Sequence, residues 1–252
     1  MRLLFAVVVW SVPALAAPRD FPFTWTSRTA AAGQSSLEAW FTPRLVRTAD
    51  YFRLDTRVAW THGVTRTVET QLSMDLDFES TNKSQGVDPK VTSLWRWTTW
   101  REGTPFAVGG LGRVSLGLDQ FEAEARLFAD LKLDRVIVAL NASAARALFW
   151  NGREGVDTRL EESFAAKYIV STGVTVGLEF RAKSAWKLRE YQGTALFVGP
   201  AFTFTHPKFW VSLGGSTQVA ADKANADRPL AEPNELRDNE RFVLRLAVGA
   251  DT

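Results

Sequence analysis

The sequence predicts an all-β protein, a closed up-and-down antiparallel transmembrane β-barrel of about 12 strands with both termini on the periplasmic side. Three observations carry that expectation. From Ser35 onward, apolar and polar residues alternate with a period of two and show almost no helical periodicity, which marks strands whose two faces meet different surroundings. Many of these runs are 10 to 15 residues long, whereas soluble strands typically run about 5–6 residues and a tilted transmembrane strand needs about 9–11. The connections alternate between short and long, as tight periplasmic turns and longer external loops require.

The first run, 36–46, carries Glu38 and Trp40. In the second, 51–61, Phe52, Leu54, Thr56, Val58 and Trp60 oppose Arg53, Asp55, Arg57, Ala59 and Thr61. The third, 66–80, is the clearest: Val68, Thr70, Leu72, Met74, Leu76 and Phe78 share one face, and Glu69, Gln71, Ser73, Asp75, Asp77 and Glu79 the other. A helix would scatter those acids around its circumference. The fourth run spans 91–101. The fifth, 106–119, is rich in glycine, with Gly109, Gly110, Gly112 and Gly117. The sixth, 121–132, sets Glu122, Glu124, Arg126, Asp130 and Lys132 against Phe121, Leu127 and Leu131. The seventh and eighth, 135–149 and 157–170, place Arg146 and Glu162 on the apolar parity near their external ends, where charges meet lipid headgroups at little cost. In the ninth, 174–186, Val176, Leu178 and Phe180 oppose Glu179, Arg181 and Lys183. The tenth and eleventh, 193–205 and 208–221, carry Gly199, Gly214 and Gly215, small residues that leave a gap or admit an N-terminal segment. In the twelfth, 240–250, Phe242, Leu244, Leu246 and Val248 oppose Arg241, Val243, Arg245 and Ala247.

Short connections fall at 62–65, 102–105, 134, 171–173 and 206–207, and longer ones at 81–90, 151–156, 189–192 and 222–239. A medium connection lies at 47–50, and a tight link at 119–120 is the exception on the external side. Aromatic residues cluster beside the short turns (Trp60, Trp100, Phe106, Tyr168, Phe204, Phe209) and toward the long loops (Phe52, Phe78, Phe149, Trp150, Trp186). Two such bands are expected at the bilayer interfaces; Trp60, Phe106, Tyr168, Phe204, Phe209 and Trp186 are the membrane-interface candidates.

If the apolar face meets lipid, the lumen is lined by Arg53, Asp55, Arg57, Glu69, Asp75, Asp77, Glu79, Glu122, Glu124, Arg126, Glu179, Arg181 and Arg245. Opposite charges then pair along the wall, as in Arg53, Asp55 and Arg57 beside Asp75 and Glu69, because an unpaired charge in a low-dielectric wall is costly. Barrels of about eight strands are filled by side chains and much larger ones hold water. Twelve strands leave both a charged pore and a salt-bridged, closed interior open.

Met1–Ala16 form a secretory signal: Arg2, an apolar stretch to Val12, Pro13, and a small-residue cleavage site ending at Ala16 or Ala17. Residues 17–34 form a separate N-terminal segment, periplasmic or lumenal, compatible with a hanging tail, a small plug or an extra strand; 35–252 form the barrel.

The segment Phe23-Thr24-Trp25-Thr26, the Gly33 turn, the strand with Glu38 and Trp40, and the His62-Gly63-Val64 turn resemble the start of outer-membrane barrels of the MetA-like family, named after a meta-pathway of phenol degradation. Members are regarded as transporters of hydrophobic or aromatic compounds, so the resemblance implies uptake of such solutes. The C-terminus, Gly249-Ala250-Asp251-Thr252, departs from many outer-membrane proteins in lacking a terminal aromatic.

Composition narrows the chemistry. The chain of 252 residues has no Cys, two His and a net charge of +2, which gives no disulfides, no thiolate metal site and no concentrated basic patch for nucleic acid. A Ser–His lipase site needs a serine beside the base, and His62 and His206 fall at short turns with none beside them. Pairs such as Asp75 with Asp77 follow from strand alternation alone. The chain is therefore expected not to be an enzyme and to need no cofactor or metal. Expected partners are outer-membrane lipid and lipopolysaccharide, the barrel-assembly machinery and a small-molecule solute, in a Gram-negative outer membrane. The favoured function is a channel or transporter with a charge-lined lumen; the alternative is a closed structural or adhesive barrel.

Overall fold

In the computed structural model, the structure describes residues 19–45, 52–80, 85–99, 101, 103–150, 157–222 and 241–252. The expected signal segment, the 47–50 and 151–156 connections, all of 222–239 but Asp222, and Trp100 lie outside the described residues.

Among the described residues twelve strands follow in order: β1 (Ser35–Leu45), β2 (Phe52–Gly63), β3 (Val68–Ser80), β4 (Gln85–Thr98), β5 (Phe106–Gly117), β6 (Gln120–Leu133), β7 (Val136–Phe149), β8 (Thr158–Ser171), β9 (Val174–Lys187), β10 (Glu190–His206), β11 (Phe209–Asp222) and β12 (Phe242–Asp251). Each pairs antiparallel with its chain neighbours, and β1 pairs with β12, with Trp40 opposite Ala247, to close the barrel. Closure leaves no free edge, which a bilayer demands because unpaired backbone groups find no water there.

Side-chain parity divides the wall. On β3, Leu72, Met74 and Leu76 are exposed outward, and Glu69, Gln71, Ser73 and Asp75 are buried on the inner face. Leu37, Val58, Val91, Leu116, Leu127, Leu140, Phe164, Phe180, Leu196, Leu213 and Leu246 continue the apolar exterior around the barrel. In water this partition would be inverted; in lipid it is the stable one.

Two elements differ from the sequence reading. β4 begins at Gln85, not at 91, so the expected 81–90 loop is largely strand. Pro89 lies within this added stretch and pairs with Leu76 of β3 before the first β4–β5 pair, Lys90–Gly117. With one neighbour only, β4 tolerates the missing N–H there. β10 begins at Glu190, and the expected 189–192 loop is a two-residue turn, Leu188–Arg189, with both φ values positive (52° and 70°). That is the backbone of the tight hairpin turns that match strand twist, here without glycine to announce it. With Leu118–Asp119 it makes two tight turns at the long-loop end.

Residues 19–31 run inside the barrel, entering from the short-turn end just before β1. Phe21 packs against Ala139, Ala165 and Ala201, and Trp25 against Leu94, Leu111 and Phe128. Gly33 (φ 79°) turns the chain into β1, its N–H donating to Gly63 O at 2.8 Å.

Candidate functional site

The inward segment is held mainly by side chains of the wall that accept its backbone N–H groups. Glu179 accepts from Phe23 (3.1 Å) and Thr24 (2.8 Å), Asn141 from Trp25 (2.8 Å), Asp130 from Ser27 (2.6 Å) and Glu69 from Ala30 (2.7 Å). An irregular segment cannot satisfy its own backbone, so each buried donor needs such a partner. Three ion pairs add to the grip: Arg19 with Glu38 (3.3 Å), Asp20 with Lys167, and wall-to-wall Arg96 with Glu69 (2.7 Å), whose Arg96 Nη2 also donates to Arg28 O at 2.7 Å. Breaking a buried pair by removing one partner typically costs about 3–5 kcal/mol. Burial pushes the Asp20 carboxyl up, but the nearby Lys167 and Arg28, with hydrogen bonds from Lys167 and Thr26, outweigh it and hold the group below its ordinary value.

Above this plug lies a cavity of about 750 Å³, open toward the long-loop end. Its floor includes Phe23, Trp25 and Trp40, and its walls are charged. On β2–β4, Arg57 donates to Asp75 through Nε (2.6 Å) and Nη2 (2.9 Å), Arg53 bridges Asp55 (2.6 Å) and Asp77 (3.0 Å), and Lys90 donates to Asp77 (2.7 Å). Arg44 of β1 closes on Asp55 at 2.6 Å. On β5–β9, Arg113 reaches Glu122 (2.6 Å) and Glu124 (2.7 Å), Arg126 reaches Glu124 (3.0 Å), Arg159 contacts Glu122, and Glu161 lies 3.8 Å from Arg126 and 3.7 Å from Lys183. Two charge ladders therefore stand on different parts of the wall, each cross-linked by guanidinium forks that suit carboxylates.

Arg53, Asp55, Arg57, Asp75, Asp77, Glu79, Glu122, Glu124, Arg126, Arg181 and Arg245 line this cavity. Glu69 and Glu179 do not: both face inward but belong to the plugged half. The expected company of Glu69 is corrected accordingly. It lies opposite Gly63 and pairs with Arg96, while Asp75 lies opposite Arg57. Among the interface aromatics, Trp60, Phe106, Tyr168 and Phe209 are exposed on the outer face, with Phe204 and Trp186 partly exposed. Phe149, expected in the outer band, instead faces the cavity mouth. The β1–β2 register also sets Ser35 opposite His62, with Ser35 Oγ 2.9 Å from Nδ1, so His62 does have a serine neighbour. His62 stacks on Trp60 at 5.5 Å, and no carboxylate orients it among the described residues. Phe23 and Trp25 of the floor, and Asn141 and Ser163 of the plug's cradle, are not among the lumen candidates that the sequence offers, whereas the inward face of Lys167 follows from alternation. Nothing in a strand's own pattern says that an upstream segment will fold against it. Among the described residues no three His, Asp or Glu converge as metal ligands.

No family model and no curated protein matches the chain. Among solved structures, the KdgM porin in complex with disordered oligogalacturonate superposes with a TM-score of 0.56 and 8% identity, covering 85% of this chain and 98% of that one. The NanC porin gives 0.57 and 10%, covering 85% and 98%. The β domain of the Bordetella autotransporter BrkA gives 0.57 and 9%, covering 88% and 100%. At such identities the likeness is one of fold. That fold, with its apolar exterior, is that of a transmembrane barrel of the Gram-negative outer membrane.

Proposed function

We propose that this outer-membrane barrel is a channel or transporter for small solutes, with an external charged vestibule and an N-terminal plug that moves before solute passes. The observation that carries this reading is the vestibule of about 750 Å³, walled by ion-paired side chains and floored by residues of the plug itself. A purely structural barrel has no need of a water-accessible charged cup. The porin-like fold supports the reading, and with the short turns and both termini in the periplasm, as we propose, the vestibule opens to the outside. The aromatic floor of Phe23, Trp25 and Trp40 agrees with the hydrophobic or aromatic solutes that the MetA-like resemblance implies. The alternative, a closed structural or adhesive barrel, draws on the number of bonds that anchor the plug.

A reversible lock separates the two. Thr24 Oγ1 of the plug lies 3.2 Å from Ser163 Oγ of β8, and the chain has no cysteine. Thr24→Cys with Ser163→Cys in the full mature chain is expected to give discrete conductance in planar bilayers when reduced and silence when oxidised. Equal conductance in both states removes the plug from the gating role. Silence in both, with the heat-modifiable fold intact, favours the closed barrel.

A further inference from the structure

Ten basic and eight acidic side chains line the vestibule. All eight acids, and eight of the bases, stand within ion-pair distance of an opposite charge. The two bases left over are Arg181 of β9 and Arg245 of β12, and they are neighbours. Both guanidinium carbons lie over the ring of Phe23, 3.8 and 4.4 Å from its centre.

Among the described residues their hydrogen bonds go only to neutral acceptors. Arg181 Nη2 donates to Ser216 Oγ at 2.6 Å, and Arg245 donates through Nε to Thr42 Oγ1 at 3.1 Å and through Nη1 to Pro22 O at 2.9 Å. Arg181 is 5% exposed, with its Nε buried and without a partner. Among the described residues Arg181 Nη1 and Arg245 Nη2 have no hydrogen-bond partner, and both residues line the cavity. Charges held out of bulk water call for compensation. The face of Phe23 supplies part of it, and elsewhere in this vestibule a carboxylate supplies it. Fixed guanidinium forks match the oxygens of an oxyanion.

We infer that the vestibule floor is a binding site for the carboxylate, phosphate or sulfonate group of a small organic anion, held by Arg181 and Arg245 beside Phe23 and Trp40. The inference rests on the vestibule being a solute's path, and it narrows the solute to an anion. The competing role for the same pair is to grip the plug and nothing else.

Calorimetric titration of the full mature chain in detergent at low salt tests it, with benzoate, inorganic phosphate and the uncharged benzamide as probes. Saturable binding of benzoate and phosphate is expected, with benzamide at least about tenfold weaker. Arg245→Gln is expected to weaken benzoate by about tenfold or more. Arg245→Lys, which keeps the charge but loses the fork, is expected to fall between, and serves if the glutamine variant does not give the heat-modifiable fold. Arg135→Gln, the same charge change at the short-turn end, is the control. Benzamide binding as tightly as benzoate, no binding of either anion, or equal losses in Arg245→Gln and Arg135→Gln would overturn the site. Because calorimetry needs no conductance, a barrel that binds benzoate yet stays silent in bilayers keeps the anion site and loses the channel. A conducting barrel indifferent to charge does the reverse.

Discussion

Asp20 and Lys167 are far apart in the chain, one before the barrel and one on β8, yet they meet inside it with Thr26 Oγ1 donating to Asp20 at 2.8 Å. The Asp20 carboxyl titrates below its ordinary value. A carboxyl that is more acidic folded than unfolded contributes stability that is complete above the unfolded value, about pH 4, and is lost as pH falls through the folded one. Acidification below about pH 4 is therefore expected to loosen the plug. Amide exchange over residues 20–27, corrected for intrinsic rates, should accelerate there, and Asp20→Asn should lower protection at pH 7 and shrink the acid step. An acid step undiminished in Asp20→Asn would show that this pair does not control the plug. At this scale the inward parity of the charged residues is legible in the sequence, since alternation alone sets it. Their partners are not: Arg57 and Asp75 meet by register, and Asp20 and Lys167 by the path of a segment with no regular period.

The plug depends on what the strands leave out. A Cβ on Gly214 of β11 would lie 2.5 Å from Pro22 Cγ, and one on Gly63 of β2 would lie 2.1 Å from Ala31 O. Gly214 of the eleventh run thus admits the segment, one of the two outcomes its small size allowed. Gly214→Leu is expected to displace the chain around Pro22 while the strands still close. The folded band should persist on unheated gels, and tryptic cleavage at Arg19 or Arg28 should quicken by about tenfold or more, as protection by local burial is lost. Unchanged cleavage would mean that packing at Gly214 does not position the plug. Twelve strands are legible from alternation and length, because each feature is local. The start of β4 is not, since Pro89 is tolerated only where β5 has not yet begun. The Leu188–Arg189 turn is not either, because its positive φ values are imposed by the strands it joins.

For the whole barrel, lipid decides which face is stable outside. Phe180, exposed midway along β9, and Phe106, exposed at the start of β5, offer a depth comparison. Phe180→Arg is expected to cost about 2–4 kcal/mol and Phe106→Arg about 0–1 kcal/mol, read as shifts in reversible urea unfolding in lipid vesicles. Equal costs at both positions would place the bilayer elsewhere on the wall. The sequence by itself determined the strand count, the faces and the exterior, because a pleated strand at a lipid boundary repeats every two residues and writes that repeat locally. Only the tertiary structure decided that the N-terminal segment occupies one half of the lumen, that the open half is a floored vestibule, and that, among the described residues, Arg181 and Arg245 alone of its bases have no carboxylate at ion-pair distance. Those outcomes depend on ring closure, which brings β9 and β12 to the same ring of Phe23, and no spacing along a single strand encodes which distant strands a closed sheet will set face to face across its interior.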